Sequence, residues 1–256
     1  MSTESKDYPG ITMLVVPCFN EAGRLEPARF LHFARHTPAI HFCFVNDGSN
    51  DATLGLLQDL QRQNPDAVRI LNLERNVGKA EAVRLGILHA VQPGVEFIGY
   101  WDADLATPLP ELTKFLAVLR HDPNICLAMG ARVRLLGSQI ERSLMRHYAG
   151  RIFATCASLA LGIDVYDTQC GAKLFRVDDD VIGVFQNPFR GRWSFDVEVI
   201  MRLISIKRPQ GNQQRRNPGI AEVPLSNWRD VPGSKIRVRD GIVALFDLTK
   251  LWWQYR

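Results

Sequence analysis

The stretch FIGYWDAD, from Phe97 to Asp104, joins an apolar run directly to two carboxylates. The run is short and ends at a polar turn, which is typical of a buried strand. Asp102 and Asp104 follow where this strand ends, and Mg²⁺ and Mn²⁺ prefer oxygen ligands of this kind. A capped turn before a helix near Pro110 is the alternative, because an isolated pair of acids with this spacing is common. Their position favours a metal site.

Further strand-length apolar segments lie on both sides of this stretch. Apolar segments of strand length alternate with helical patterns, which predicts a doubly wound, mainly parallel α/β sheet with helices on both faces. Ligands of such sheets bind beyond the carboxyl ends of the strands. The predicted strands are Ile11–Pro17, His41–Val45, Val68–Leu73, Phe97–Trp101 and Ile125–Gly130, and the predicted helices cover Leu54–Leu60, Ala80–Ala90 and Leu112–Leu119.

Polar residues follow the other strands as well. Pro17–Glu21 ends the first strand, Asn46–Ser49 ends the second, and Arg75–Lys79 follows the third. Each group alone is compatible with an ordinary turn, but four groups at one sheet edge favour a nucleotide site. Lys79 follows a glycine at a helix start, where the N–H groups and the dipole favour phosphate; a surface lysine is the alternative.

The second half has a different pattern. We expect a long helix over Gln139–Leu161, a helix over Phe195–Ile206 and a C-terminal amphipathic helix over residues 241–256. We also expect strands at Lys173–Arg176 and Ile220–Pro224, and a loop at Arg208–Pro218. The expected organisation is a disordered lead-in at residues 1–10 and a domain at 11–240. Its nucleotide half covers about 11–132 and its acceptor half, a C-terminal acceptor-side extension, about 133–240.

Composition sets limits on function. The chain has 256 residues, of which 46% are hydrophobic, and a net charge of +4. Arg132–Arg151 and Lys207–Arg216 each carry +4 and Arg229–Arg256 carries +3, so the remainder is acidic. A partner with phosphates is one explanation and solvated helix faces are another. The five cysteines lack zinc-site or disulfide spacing, which indicates a reducing, cytoplasmic setting.

Several motifs resemble family-2 glycosyltransferases of the GT-A fold, and within them the dolichyl-phosphate β-glucosyltransferase branch. The resemblance runs from Thr12 to about Arg239. The motifs in the first half are VVPCFNE (Val15–Glu21), NDGSNDAT (Asn46–Thr53), RNVGKAEAVRLGI (Arg75–Ile87), DADLAT (Asp102–Thr107) and GAR (Gly130–Arg132). Those in the second half are DTQCGAKLF (Asp167–Phe175), RWSFDVEVI (Arg192–Ile200) and PGSKI (Pro232–Ile236).

The resemblance implies a role for each matched residue. Asp104 and Asp102 would ligate Mg²⁺ or Mn²⁺, and Asp167, Asp196 and Glu198 are the catalytic candidates. The residues expected at the nucleotide-sugar are Pro17, Asn20, Glu21, Asp47, Lys79, Asp102 and Trp193. Those expected at the acceptor are Arg132, Gln169, Lys173, Ser234 and Lys235. Asn46 and Ala106 depart from the usual pattern: an acid often precedes the Asp47 position, and mannose synthases often carry Gln where this chain has Ala106.

The implied reaction is inverting, metal-dependent transfer of a hexose from a nucleotide-sugar, best UDP-glucose, to a polyprenyl or dolichyl phosphate. GDP-mannose as donor is the alternative within the family. A nucleotidyltransferase and a non-catalytic nucleotide-sugar binding module are alternatives from other classes. We expect no nucleic-acid partner. A phosphate acceptor is already ionised near neutral pH, so the sequence leaves open which carboxylate acts as a base, or whether one is needed. Asp196 and Glu198 also suit a helix N-terminus.

A membrane surface is the last expected partner. No apolar run reaches the roughly 18–20 residues that span a bilayer, so we expect peripheral binding at the cytoplasmic face. Arg142, Arg146 and Arg151 together with Trp252–Trp253 are the predicted contacts, because interfacial helices combine basic residues with aromatics. Packing of both helices on the core is one alternative, and delivery of the lipid by a separate membrane protein is another.

Overall fold

The structure, a computed structural model, describes residues 10–141, 144–191, 193–207, 219–231 and 238–255. Within these ranges the side chains of 144–147, 149, 238–242 and 245 are not described. The predicted lead-in at 1–10, except Gly10, and the predicted loop at Arg208–Pro218 lie outside the described residues.

Strands and helices alternate over the first half of the chain and become less regular after Ala131. The nine strands that the described residues contain are β1 Ile11–Cys18, β2 Ile40–Asp47, β3 Val68–Leu73, β4 Val95–Trp101, β5 Leu127–Ala131, β6 Gln139–Glu141, β7 Ala172–Arg176, β8 Ile220–Pro224 and β9 Asn227–Arg229. The helices are α1 Pro27–His36, α2 Thr53–Gln63, α3 Lys79–Ala90, α4 Leu112–His121, α5 Leu144–Leu161, α6 Asp179–Gln186, α7 Phe195–Ile206 and α8 Val238–Tyr255.

Seven strands form one sheet in the order β3-β2-β1-β4-β7-β5-β8. All run parallel except β7, which is antiparallel to β4 and β5. The predicted mainly parallel α/β sheet is therefore confirmed. The carboxyl ends of β1, β2, β3 and β4 lie at one edge, because these strands are neighbours and point the same way. This edge carries the polar groups that the sequence singled out.

The sheet separates two hydrophobic layers. Met13 and Val15 of β1 face the layer formed with α3, α5, α6, α7 and α8. Leu14 and Val16 face the layer formed with α1, α2 and α4. The alternation along β1 follows from strand geometry, in which successive side chains point to opposite faces. Burial on both faces explains why this strand is almost continuously apolar.

Helix α3 lies unusually close to the sheet because Gly86 faces it. A Cβ atom at Gly86 would lie 2.4 Å from Cγ1 of Val15 and 2.6 Å from Cγ2 of Val45. A larger residue there would force the helix away from β1 and β2. The close packing fixes the first residue of α3, Lys79, at the polar edge of the sheet.

The prediction of one helix over Gln139–Leu161 is wrong at its start. Gln139–Glu141 forms strand β6 and pairs in parallel with β9, Asn227–Arg229, in a separate two-stranded sheet. Ile140 is buried there while Gln139 and Glu141 are exposed, which is a strand pattern too short to be distinguished from a helix by sequence. Helices α1 and α6 and strand β9 were not predicted.

Candidate functional site

The loops after β1 and β2 are tied together by side-chain hydrogen bonds. The Asn20 N–H donates to Oγ of Ser49 at 3.0 Å, and Oδ1 of Asn20 accepts from the Asn50 N–H at 2.9 Å. The Glu21 N–H donates to Oγ1 of Thr53 at 2.8 Å. Asn20 has a φ of 50°, which Asn tolerates better than most residues. Pro17 lies in β1 beside Val45, so the predicted nucleoside residues form one continuous rim.

Asp47 organises the loop that follows β3. Its Oδ1 accepts from the Val77 N–H at 2.7 Å, and its Oδ2 accepts from the Gly78 N–H at 3.0 Å and from Nδ2 of Asn76 at 3.0 Å. Asp47 is only 2% exposed. Its predicted contact with the nucleotide base stays a prediction, but the structure shows that it holds the loop leading into Lys79.

Glycine is required where these two loops meet. Gly48 has a φ of 61°, and a Cβ atom there would lie 2.4 Å from the Asn76 nitrogen. Any side chain would therefore push the loop after β3 away from Asp47. The glycine of the NDGSN stretch is thus required because the backbones of the two loops lie close together.

Lys79 and Asp102 form an ion pair across this edge. Nζ of Lys79 lies 2.5 Å from Oδ1 of Asp102, and the two side chains are 42% and 34% exposed. Burial would lower the pKa of Lys79, but the negative charges of Asp102 and Asp196 raise it above its ordinary value. Lys79 is therefore a permanent cation beside one of the two predicted metal ligands.

Asp104 has a second cation as its neighbour, Arg24. Oδ2 of Asp104 lies 3.7 Å from Nη1 of Arg24, and Oδ1 accepts from the Ala106 N–H at 3.1 Å. Arg24 is held in turn by Glu21, with Nη2 2.6 Å from Oε1 and Nε 2.9 Å from Oε2. Burial of the carboxyl group and, to a smaller extent, the negative charge of Asp102 raise the pKa of Asp104. Glu21 thus acts through Arg24, a residue that the sequence analysis did not select.

Gly171 makes room for Asp102. A Cβ atom at Gly171 would lie 1.8 Å from Oδ2 and 2.6 Å from Oδ1 of Asp102. The carboxylate therefore rests against the backbone of the segment that precedes β7. This contact brings the DTQCGAKLF motif to the acidic pair, although the two lie far apart in sequence.

Asp196 lies in a buried network rather than in an open cleft. Its Oδ1 accepts from Nζ of Lys173 at 2.6 Å and from the Tyr100 hydroxyl at 2.5 Å. Lys173 also donates to the carbonyls of Thr168 and Cys170. Because Lys173 is 0% exposed, its predicted contact with the acceptor is wrong for this structure: its ammonium group is occupied inside the protein.

Arg132 and Asp167 form a bidentate ion pair. Nε of Arg132 lies 2.6 Å from Oδ2 and Nη2 lies 2.8 Å from Oδ1 of Asp167. Burial would lower the pKa of Arg132, but the charge of Asp167 raises it. Glu222 of β8 accepts from the N–H groups of Tyr166 and Asp167, and it thereby fixes Asp167. Asp167, a predicted catalytic residue, and Arg132, a predicted acceptor residue, are thus adjacent to each other.

Glu198 links α7 to neighbouring segments inside the protein. It is 0% exposed, and its oxygens accept from the Arg190 and Gly191 N–H groups, from Arg202 and from the Tyr255 hydroxyl. Glu198, a predicted catalytic residue, therefore has no exposed surface through which it could contact a substrate in this structure. Trp193, in contrast, is 36% exposed.

Gln169 is half-buried, and its Nε2 has no hydrogen-bond acceptor among the described residues. Ser234 and Lys235 lie outside the described residues.

Three residues that shape the site were not predicted from the sequence: Arg24, Tyr100 and Glu222. Arg24 follows Glu21 by three residues, a spacing that pairs charges on a helical turn, so this signal was available. Tyr100 appeared only as part of an apolar strand. Glu222 is 55 positions from Asp167, and nothing local connects the two.

Comparisons with known proteins agree with this geometry. A model of the family described as glycosyl transferase family 2 matches residues 13–182. The chain is 30% identical to a dolichyl-phosphate beta-glucosyltransferase of Trichomonas vaginalis, over 96% of this chain and 72% of that one. It is 32% identical to the Drosophila melanogaster protein of the same description, over 90% and 71%.

A solved structure with the same fold is glucosyl-3-phosphoglycerate synthase of Mycobacterium tuberculosis in complex with Mn²⁺, UDP and glucosyl-3-phosphoglycerate. Its TM-score is 0.64 at 15% identity, and the match covers 96% of this chain and 80% of that one. At this identity the likeness shows the GT-A fold alone.

Proposed function

The chain belongs to glycosyl transferase family 2, and we propose that it transfers glucose from UDP-glucose to a polyprenyl phosphate, with inversion at the sugar. The observation that carries this proposal is the acidic pair Asp102 and Asp104, flanked by the cations Lys79 and Arg24 at the carboxyl edge of the parallel strands. Both relatives named above are dolichyl-phosphate beta-glucosyltransferases, which supports the choice of sugar and acceptor.

The acidic pair fits a divalent cation, Mg²⁺ or Mn²⁺. Burial and repulsion from Asp102 both raise the pKa of Asp104. A divalent cation would offset both effects, because it stabilises the ionised carboxylate. Among the described residues, no group of three or more His, Cys, Asp or Glu side chains is arranged so that it could hold a metal ion by itself. Asp102 and Asp104 would therefore share the cation with phosphates of the donor, as is common for Mg²⁺. When bound, the cation neutralises charge on the departing diphosphate.

The residues around the pair would prepare the donor. Lys79 stands at the first turn of α3, where free N–H groups and the helix dipole attract phosphate. Asp47 accepts hydrogen bonds from the Val77 and Gly78 N–H groups just before this turn. It therefore fixes the position of Lys79 relative to the sheet. The nucleoside would lie along the rim of Pro17, Asn20 and Asp47.

The acceptor would approach from the side of Arg132 and Gln169. A buried N–H donor without an acceptor costs about 1–3 kcal/mol. Nε2 of Gln169 is such a donor, and rotation of this half-buried side chain would bring it to a phosphate oxygen of the acceptor. Asp167 is fully engaged by Arg132, and Asp196 by Lys173 and Tyr100. We therefore assign both carboxylates a positioning role, and the ionised acceptor phosphate attacks without a protein base.

A lipid acceptor requires that the protein contact a membrane. The structure changes which residues we propose for that contact. The Arg151 guanidinium donates to the Tyr166 carbonyl at 3.0 Å and lies 4.0 Å from the Tyr166 ring centre. Because its guanidinium already has these partners, we do not place Arg151 in the proposed lipid contact. Arg142 and the side chain of Arg146 lie outside the described residues. Trp252 is half-buried, whereas Trp253 is 80% exposed.

Helices α5 and α8 pack side by side and expose large apolar side chains. On each helix these residues are separated by three, four, seven or more positions and share one face. Monomeric soluble proteins rarely expose such a continuous apolar surface without a partner. We call this surface the α5–α8 face; its members are Tyr148, Ile152, Leu159, Val243, Phe246 and Trp253.

We propose that the α5–α8 face rests on an anionic membrane surface at the cytoplasmic side. A groove at its end is lined by Arg190, Lys250 and Trp253 together with Asp247, and cations beside an exposed indole suit a lipid interface. The stretch Arg132–Arg151, which carries +4, contains the first part of α5, and the stretch Arg229–Arg256, which carries +3, contains α8. A second copy would bring like charges together, whereas anionic lipid is complementary. None of the described helices has the length and apolar character of a membrane span.

The experiment that tests the proposed reaction is a donor panel. UDP-glucose, GDP-mannose and UDP-galactose are each incubated with polyprenyl phosphate and Mn²⁺, and sugar in the organic phase is measured. Transfer from UDP-glucose supports the proposal. A clear preference for GDP-mannose would identify a mannosyltransferase instead.

A further inference from the structure

Both carboxylates of the acidic pair already have a cation as partner in the protein. Lys79 is paired with Asp102 and Arg24 with Asp104. We infer that Lys79 and Arg24 are stand-in cations, which hold the two carboxylates until a divalent cation replaces them and which then bind the diphosphate of the donor. This inference rests on the proposed function and assigns Arg24 its role in it.

The geometry leaves few free oxygens on the pair. Oδ2 of Asp102 packs against Gly171, and Oδ1 faces Lys79. Oδ1 of Asp104 accepts from the Ala106 N–H, and Oδ2 faces Arg24. Each carboxylate therefore has one oxygen close to the backbone and one that faces a cation. A metal ion that binds through the two cation-facing oxygens takes the places of Lys79 and Arg24.

Charge balance then links the metal to the donor. The site holds three carboxylates, including Glu21, against two cations. A divalent cation alone would leave excess positive charge in a partly buried place, which electrostatics disfavours. The anionic diphosphate restores the balance, and Lys79 and Arg24 lie where they can bind it. The metal ion and the nucleotide should therefore each bind more tightly in the presence of the other.

The two cations are suited to a change of partner. Lys79 is 42% exposed and carries a flexible stem, so it can turn away from Asp102 without disturbing the core. Arg24 is 22% exposed and anchored by two bonds to Glu21. Its contact with Asp104, at 3.7 Å, is longer than an ordinary charge-assisted hydrogen bond. Glu21 thus keeps Arg24 at the site when a metal ion binds Asp104.

The test measures Mn²⁺ binding by electron paramagnetic resonance, with and without UDP, and requires no turnover. For the wild type we expect UDP to tighten Mn²⁺ binding about tenfold. In Lys79→Met and in Arg24→Met we expect Mn²⁺ alone to bind about threefold to fivefold more tightly, because a competing ion pair is gone. UDP should then tighten Mn²⁺ binding less than about threefold, because a phosphate ligand is missing.

Three variants serve as controls. Lys79→Arg and Arg24→Lys keep the charge and should bind Mn²⁺ alone as the wild type does. Arg29→Met removes a similar pair with Glu26, also three residues apart, and should change neither affinity. Lys79 is half-exposed at a helix start, so its variant keeps the test valid if Arg24→Met is unstable.

The outcomes separate this inference from the proposed function. If the wild type binds neither Mn²⁺ nor UDP, both are overturned. If the wild type binds both, but Lys79→Met and Arg24→Met bind Mn²⁺ alone no more tightly than it does, the stand-in role is overturned and the proposed reaction is untouched.

Discussion

The guanidinium of Arg132 grips both carboxylate oxygens of Asp167, at 2.6 Å and 2.8 Å. The pair joins the end of β5 to the segment before β7, and Glu222 holds that segment from β8. Three neighbouring strands of the sheet therefore meet at one ion pair beside the candidate active site. Its two side chains are 12% and 8% exposed, so solvent screens the pair little.

Replacement of Arg132 by Met should both destabilise the protein and stop transfer. Breaking a buried ion pair leaves an uncompensated charge and costs about 3–5 kcal/mol. Arg132→Lys keeps the charge but loses the two-pronged contact, and it should retain more stability than activity. Urea unfolding and the transfer assay measure the two effects. Wild-type stability of Arg132→Met would show that the pair does not hold the segment.

Asp104→Asn should abolish transfer in a protein that stays folded. The substitution removes a charge that is repelled by Asp102 and partly buried, so stability should be unchanged or slightly higher. Asp122→Asn, at an exposed turn beside Asn124, is the matched control and should be fully active. Full activity of Asp104→Asn, or activity that withstands excess chelator, would contradict the metal assignment.

Gly171→Ala should impair metal binding more than folding. The new Cβ would collide with the Asp102 carboxylate, which must then rotate away from Asp104. We expect Mn²⁺ affinity and transfer to fall at least about tenfold, equivalent to ~1.4 kcal/mol. Gly23→Ala, which meets no atom within 4 Å, should behave as the wild type. An unchanged Mn²⁺ affinity in Gly171→Ala would remove Gly171 from the site.

The α5–α8 face should carry membrane binding that salt does not abolish. Phe246→Ser with Trp253→Ser should weaken sedimentation with anionic liposomes at every salt concentration, because apolar burial is not screened. Lys250→Gln should weaken it at low salt only, since each basic residue near the surface contributes about 1 kcal/mol. Leu136→Ser, an exposed leucine outside both helices, is the control.

Two results would contradict the proposed lipid contact. Sedimentation equal to the wild type in the Phe246 and Trp253 double variant would exclude the α5–α8 face as the contact. A stable dimer in solution that this variant dissociates would show that a second copy covers the face instead.

The sequence predicted the sheet and the positions of its strand ends well, because both follow from local signals. Apolar runs that end in Asn46-Asp47, Arg75–Lys79 and Asp102–Asp104 mark the strand ends directly. The start of α5 was missed because Ile140 with polar neighbours suits a helix and a strand equally. Only the distant segment Asn227–Arg229, which pairs with Gln139–Glu141, decides between them.

The motifs do not report which of their residues are buried. Lys173 belongs to a motif expected at the acceptor, yet Asp196 and two carbonyls occupy its ammonium group. Glu198 is a catalytic candidate by its motif, yet Arg202 and Tyr255 contact its carboxylate inside the protein. Sequence showed which residue types gather at the site, but burial decides which of them can touch a substrate.

The most direct test of the proposed reaction combines donor, acceptor and metal in one assay. Radiolabelled UDP-glucose is incubated with the purified chain, dolichyl phosphate and Mn²⁺, and label in the organic phase is followed with time. The proposed function predicts label that requires dolichyl phosphate, disappears with chelator and is absent with Asp104→Asn. Absence of lipid-linked label under these conditions, or faster labelling from GDP-mannose, would contradict it.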